Sequence, residues 1–213
     1  VGSVQTAPAR GVPGTETPGD LGIDLTYSIT PSLRASLTLN TDFAEAEVDQ
    51  RRVNLTRFPI SFPERRDFFL EGSGVYAFAQ SSGPTPFFSR RIGLIEGEPV
   101  PIAWGTRLAG QVGAQDVGFQ HVRTRSTVGV PAERFTVARV KRSVLRQSTL
   151  GAIWTWRDAE PLDSTEARAA HTVGMDLDLF TSRFRGDRNL QFEAFVVWHE
   201  EFAGQEGTTF GDR

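Results

Sequence analysis

The densest chemistry in the chain lies between residues 64 and 71. There Glu64, Arg65, Arg66, Asp67 and Glu71 place three carboxylates and two guanidinium groups among phenylalanines. Two carboxylates held apart by a fold can act as general acid and general base, as in glycoside cleavage. On that chemistry Glu64, Asp67 and Glu71 are the catalytic candidates. The competing reading is an arginine–carboxylate network that pins a folded segment against a polar wall, because a guanidinium holds its donors in a fork matched to a carboxylate. The network accounts for every residue of the stretch, aromatics included, and is preferred. Arg65 and Arg66 are then binding residues, with Arg90 and Arg91 further along in the same network.

A second acidic row, Glu45, Glu47 and Asp49, has the types that hard cations seek. At strand spacing these side chains stand about 7 Å apart, too far for a compact site. No metal is assigned, and the row is expected to line a polar face opposite the arginines. His121, His171 and His199 are distant in sequence and are expected to be solvated or to line the interior. His199-Glu200 begins like a zinc-protease motif, but the residue four after His199 is Ala203, so the second ligand is missing. Gly72-Ser73-Gly74 lacks nucleophile-elbow spacing because Glu71 stands where a glycine is required. Asn54-Leu55-Thr56 matches a glycosylation sequon, a motif too short to carry weight. With no phosphate-binding loop or dinucleotide fingerprint, no cofactor is expected.

Composition limits what can hold these groups. Hydrophobic residues make up 38% of the 213 residues and charged residues 23%, a mixture suited to strands with one polar and one apolar face. A net charge of −3 does not favour nucleic acid as a partner. The chain has no cysteine, which excludes disulfides and thiolate sites. All basic residues but Lys141 are arginine. No apolar run reaches the roughly 18 residues of a transmembrane helix, but barrel strands are short, alternate, and escape that test.

Alternation supplies the elements. Residues 1–20 are rich in Gly, Pro, Thr and Ala and read as a linker or disordered arm. Period two begins at Ile23, Leu25, Tyr27 and Ile29, and resumes after Pro31 with Leu33, Ala35, Leu37 and Leu39 opposite Arg34, Ser36 and Thr38. After the turn signal Asn40-Thr41-Asp42, a strand with Ala44, Ala46 and Val48 should carry the acidic row. Residues 50–99 break the rhythm with recurrent Pro and Gly and a cluster of aromatics, and read as an irregular, plug-like insertion. From Val100 six strands are predicted. The first places Ile102, Trp104, Thr106, Leu108 and Val112 on one face. The fifth sets Val173, Met175, Leu177 and Leu179 against Asp176 and Asp178, which are expected to face water. Connections alternate between short (near Gly113, Ser143–Ser148 and Gly186) and long (125–132 and 157–170). Outer-membrane barrels alternate this way, whereas soluble sandwiches do not. Trp104, Trp154, Trp156 and Trp198 fall near strand ends, as an interfacial girdle requires. The expected fold class is all-β: an antiparallel up-and-down membrane β-barrel, or part of one, over residues 21–213, with the insertion at about 50–99.

The stretch LTLNTDFAEAEVDQRRVNLTRFPISFPERRDFFLEGSGVYAF at 37–78, with PFFSRRIGL at 86–94, resembles a known family. It is similar to the uncharacterised carboxy-terminal domain of bacterial proteins that begin with a family-nine-like carbohydrate-binding module. The resemblance implies a bacterial outer-membrane barrel, lipid as its surroundings and a glycan as a possible ligand; it supplies no catalytic residues. The upstream module is absent from this chain and the last residues read as the start of a loop, so a fragment of a longer barrel is expected. Three functions follow: a non-enzymatic barrel that binds or admits a ligand, a hydrolase acting on a polysaccharide or ester, and a structural subunit of a membrane assembly.

Overall fold

A computed structural model of the chain describes residues 2–8, 21–40, 64–79, 83–95, 98–161 and 168–203. Among them one antiparallel sheet dominates. Its strands are β1 (Gly2–Pro8), β2 (Leu21–Thr30), β3 (Leu33–Leu39), β6 (Ile102–Val112), β7 (Gln115–Thr124), β8 (Glu133–Val144), β9 (Ser148–Ala159), β10 (Arg168–Phe184) and β11 (Arg188–Ala203). Neighbours in the sheet follow chain order, β1-β2-β3-β6-β7-β8-β9-β10-β11, an up-and-down meander of nine strands. No pairing joins β1 to β11 among the described residues, so the sheet is open. Between β3 and β6 come a one-turn helix α1 (Asp67–Leu70), two 3-10 turns (Ser73–Tyr76 and Ser89–Arg91) and a small ribbon of β4 (Leu94–Ile95) with β5 (Glu98–Pro99).

The alternation read in the sequence is the alternation of the sheet, and register aligns it from strand to strand. Leu25 pairs with Leu37, Leu108 with both Ala35 and Phe119, Ala152 with both Val140 and Met175, and Met175 with Val196. Directly paired residues share a face, so these apolar side chains form one belt across the sheet. The belt is the exposed face. Tyr27 is 57% exposed, Met175 50%, Val196 62% and Trp198 57%. The opposite, polar face is the covered one: Ser36, Thr38, Arg107, Gln120 and Arg139 are all buried. What covers it is the insertion, through two apolar clusters. One joins Phe69, Ile92, Ile102 and Val122; the other joins Tyr76, Phe78, Ala79, Val137 and Ile153.

The insertion also shows that the sheet curves. Glu71 reaches Arg34 on β3, while seven positions later Phe78 contacts Phe195 on β11, six strand steps away. Laid flat, six steps span roughly 29 Å, more than a segment partly wound into a 3-10 turn and its side chains can bridge. The strands therefore wrap around residues 64–79 and 83–93.

Several expectations change. The stretch read as a linker contributes β1, since Gly2–Pro8 pair residue for residue with Leu21–Tyr27; backbone pairing does not need the hydrophobic pattern that a sequence reading looks for. Ile102 does not share a face with Trp104. The register shifts between them, and this bulge turns Ile102 inward to 1% exposure. Asp176 does not face open water; the insertion lies over it. β10 and β11 run 17 and 16 residues, so the long connection after β9 begins at Glu160 rather than 157. Residues 64–79 and 83–95 hold only short helical turns and the start of a small ribbon, and pack through aromatics; residues 50–63 of the stretch read as an insertion, and the acidic row Glu45, Glu47 and Asp49, lie outside the described residues.

Candidate functional site: the insertion on the polar face

Three arginine forks fix the insertion, and each is built differently. The first is internal. Glu64 Oε1 accepts from the Arg65 and Arg66 backbone N–H groups at 3.0 and 3.1 Å and from Arg66 Nε at 2.8 Å. Its Oε2 accepts from Arg66 Nη2 at 2.7 Å and from Ser89 Oγ at 2.8 Å. Arg66 also donates to the carbonyls of Ile92 and Ser89, at 2.6 and 2.9 Å, and its guanidinium lies 4.1 Å from the Phe69 ring centroid. This one buried side chain thus ties the 64–71 arm to the 89–92 arm. Burial alone would raise the pKa of Glu64; the hydrogen bonds and charge of Arg66, with Ser89, outweigh it and hold the carboxyl below its ordinary value.

The second fork joins insertion to sheet. Arg107, centred on β6, donates Nη1 to the carbonyls of Phe68 and Glu71 at 2.5 and 2.6 Å. Its Nη2 donates to Ser36 Oγ at 2.9 Å and to Glu71 Oε2. Arg34 on β3 donates to the other Glu71 oxygen. Desolvation pushes the Glu71 pKa up, but the Arg34 and Arg107 bonds prevail and lower it. The third fork is Arg139 on β8, which meets Asp176 on β10 with Nη1–Oδ1 at 2.6 Å and Nη2–Oδ2 at 2.7 Å, and donates Nη2 to the Ala77 carbonyl at 3.1 Å. The fork passes over Gly151 of β9: a Cβ there would stand 2.6 Å from both Arg139 Nη2 and Asp176 Oδ1.

Glycines on the covered face form the seats between these forks. A Cβ at Gly105 would come within 3.1 Å of the Phe68 ring, at Gly118 within 2.9 Å of the Tyr76 ring, and at Gly174 within 2.9 Å of the Phe78 ring. Each of these aromatic rings therefore presses on bare backbone, the close approach that only glycine permits.

Of the residues singled out in the sequence, Glu64, Arg66 and Glu71 are brought into this network. Arg65, Asp67 and Arg91 are exposed, and Arg90 is buried. Glu64 and Glu71 both accept from arginine on both oxygens, which leaves neither carboxylate poised to pass a proton to a substrate. The sequence reading missed the partners on the sheet: Arg34, Arg107, Arg139 and Asp176. A signal existed. On the polar side of the alternation, Arg107 stands between Gly105 and Ala109, and Asp176 two positions from Gly174. A lone charge flanked by glycine or alanine marks a wall that something must press against.

The open face has its own order. His121 packs at a tilt against Trp104 with centroids 4.9 Å apart and hydrogen-bonds Thr136; His171 stacks on Trp156 and sits beside Trp198 and Phe202. These two histidines therefore belong to an aromatic row, not to solvent or the covered face as expected. Toward the long loops the row gives way to the ion pairs Arg134–Asp158 and Arg123–Glu160, at 2.6 and 2.7 Å. Among the described residues no group of His, Asp and Glu could hold a metal ion, and no helix is long and apolar enough to cross a membrane.

These features define an all-β protein with one open antiparallel sheet, apolar on its bare side, and an arginine-anchored insertion on its polar side. Residues 3–100 match a family described as a domain of unknown function (DUF5916). The matched stretch takes in β1 to β5 with the whole insertion and stops short of β6. No curated protein and no solved structure matches the chain.

Proposed function

We propose that the chain forms part of a bacterial outer-membrane β-barrel, non-enzymatic, whose insertion is a plug in the lumen and whose interior binds or admits a ligand. The observation that carries this reading is the inverted distribution of polarity: arginines buried, and an aligned belt of Leu, Val, Phe, Met and Trp exposed. In water such a belt far exceeds the apolar patches that monomeric proteins leave bare. In a bilayer it is the required surface, because a charge at mid-depth costs roughly 2–4 kcal/mol. On β8 the open face runs from Arg134 to Arg142 with only Thr136, Ala138 and Val140 between them, so charge returns where a belt would end. The His–Trp row followed by ion pairs is the order expected from hydrocarbon to interface to water. Strands of 10 to 17 residues from β6 to β11 meet the roughly 9–11 needed to cross at a tilt. The resemblance to proteins with a sugar-binding module points toward a glycan as ligand.

The hydrolase alternative draws no support from Glu64 or Glu71, whose oxygens are engaged by arginine. A structural subunit would share the barrel but bind nothing. The test is solubility and heat-modifiable migration. The protein should fold only with detergent or lipid and run faster on a denaturing gel before boiling than after. A monodisperse, detergent-free monomer would overturn the proposal.

A further inference from the structure

The two arms of the insertion do not close completely on each other. Between them lies a cleft of about 380 Å³, within the roughly 300–1,000 Å³ of small-molecule sites. Its floor is aromatic and buried: Phe69, Tyr76 and Phe78. One wall is Phe87, tilted on Tyr76 with centroids 5.2 Å apart, and Phe88, which is 37% exposed. At the rim stand the exposed residues Ser73 and Thr85, whose hydroxyls have no hydrogen-bond partner among the described residues.

Charge narrows the guest. Among the described residues no arginine, lysine or histidine lines the cleft, so an anion finds no counter-charge from them there. Its one acid, Glu64, already holds five hydrogen bonds, including Arg66 on both oxygens, so a cation finds no free carboxylate. A wholly apolar guest would leave Ser73 and Thr85 facing hydrocarbon. A neutral molecule with one C–H face and a hydroxyl edge satisfies both parts: polarised C–H bonds meet the electron-rich ring faces, and hydroxyls meet the rim.

We propose that this cleft binds a neutral saccharide, with a pyranose stacked on Phe88 and Phe87 and its hydroxyl edge toward Ser73 and Thr85. The proposal rests on reading the insertion as a ligand-facing plug and names the ligand class for it. Phe87 packs against both apolar clusters, but Phe88 belongs to neither and no fork holds it, so Phe88 can be altered without unseating the insertion.

Calorimetric titration of the detergent-solubilised full chain tests the proposal. The probes are maltotriose, cellotriose, xylotriose and mannotriose as neutral sugars, trigalacturonate as an acidic one and indole as an apolar one. At least one neutral trisaccharide should bind. Phe88→Ala should weaken that binding about tenfold, the size expected for one stacked aromatic face, and Ser73→Ala with Thr85→Val should weaken it independently. Heat-modifiable migration checks the fold of each variant. Absence of neutral-sugar binding by a heat-modifiable protein overturns the proposal, as does preference for indole or trigalacturonate, or unchanged binding in both variants. Saccharide binding by a protein that needs no detergent would keep the cleft and discard the barrel.

Discussion

Asp176→Ala is the sharpest test of how the insertion is held. The Arg139 side chain has 0% exposure and Asp176 13%, and their fork is two-pronged at 2.6 and 2.7 Å. Removing the carboxylate leaves a guanidinium boxed in by Gly151 below and the Phe78 ring above, its centroid 5.4 Å away. Stranding one member of a buried pair costs about 3–5 kcal/mol. That penalty falls on the state in which residues 77–79 are seated, because Ala77 and Ala79 are bonded to this pair. The open population should therefore rise by about two to three and a half orders of magnitude, at roughly 1.4 kcal/mol per factor of ten. The assay is amide hydrogen exchange of a peptide covering 64–79, whose turns are closed by bonds such as Phe69 N–H to Arg66 O and Val75 N–H to Gly72 O. Exchange there should accelerate while strands β6 and β7 stay protected. The double change Arg139→Met with Asp176→Leu should restore much of the protection, because it removes both charges instead of stranding one. Unchanged exchange in Asp176→Ala, or a double variant that exchanges faster than the single, would refute the argument.

Other outcomes follow from the same geometry. Gly118→Val should displace the insertion, because its Cβ would stand 2.8 Å from Val75 and 2.9 Å from the Tyr76 ring; overpacking of this kind costs about 1–3 kcal/mol, and an unaltered melting midpoint would count against the seating. Acidification should loosen the insertion. Glu64 and Glu71 are held below their ordinary value of 4.5, so their stabilisation is complete above that pH and is lost as pH falls through their folded values. The thermal midpoint should stay level from neutral pH to about 5 and drop below it, less steeply in Glu71→Gln; a midpoint that climbs on acidification would contradict this. Cysteines placed at Val173 and Met175 should react with a lipid-soluble label in membranes and one at Asp176 should not; equal labelling along β10 would undo the assignment of faces. Protease added to intact cells should cut in 125–132 and 160–167 but spare Arg185 and Arg188.

Much of this protein is local and so legible in sequence. A strand's faces follow from period two, and Leu33 to Leu39, or Val173 to Leu179, declare them without reference to anything else. Turns at Gly113 and Gly186, both with positive φ, announce themselves by residue type. Glu64 and Arg66, two positions apart, form their pair within the insertion, and that network could be anticipated. The charge-rich insertion pointed to a polar wall as the covered face, but alternation by itself could not decide which face is covered. Polar and apolar sides alternate identically whether the apolar side is a dry core or a bare belt, and only the position of residues 64–79 and 83–93 on the polar side decides between them. The same holds for the partners of the insertion. Glu71 and Arg107 are 36 residues apart, and Arg139 and Asp176 are 37. They meet because register aligns β3, β6, β8 and β10 around one small segment, a property of the curved sheet and of no window of sequence. The inward turn of Ile102 has the same origin: a single bulge, stabilised by burial against Phe69, Ile92 and Val122, reverses a side chain that alternation alone would place outside.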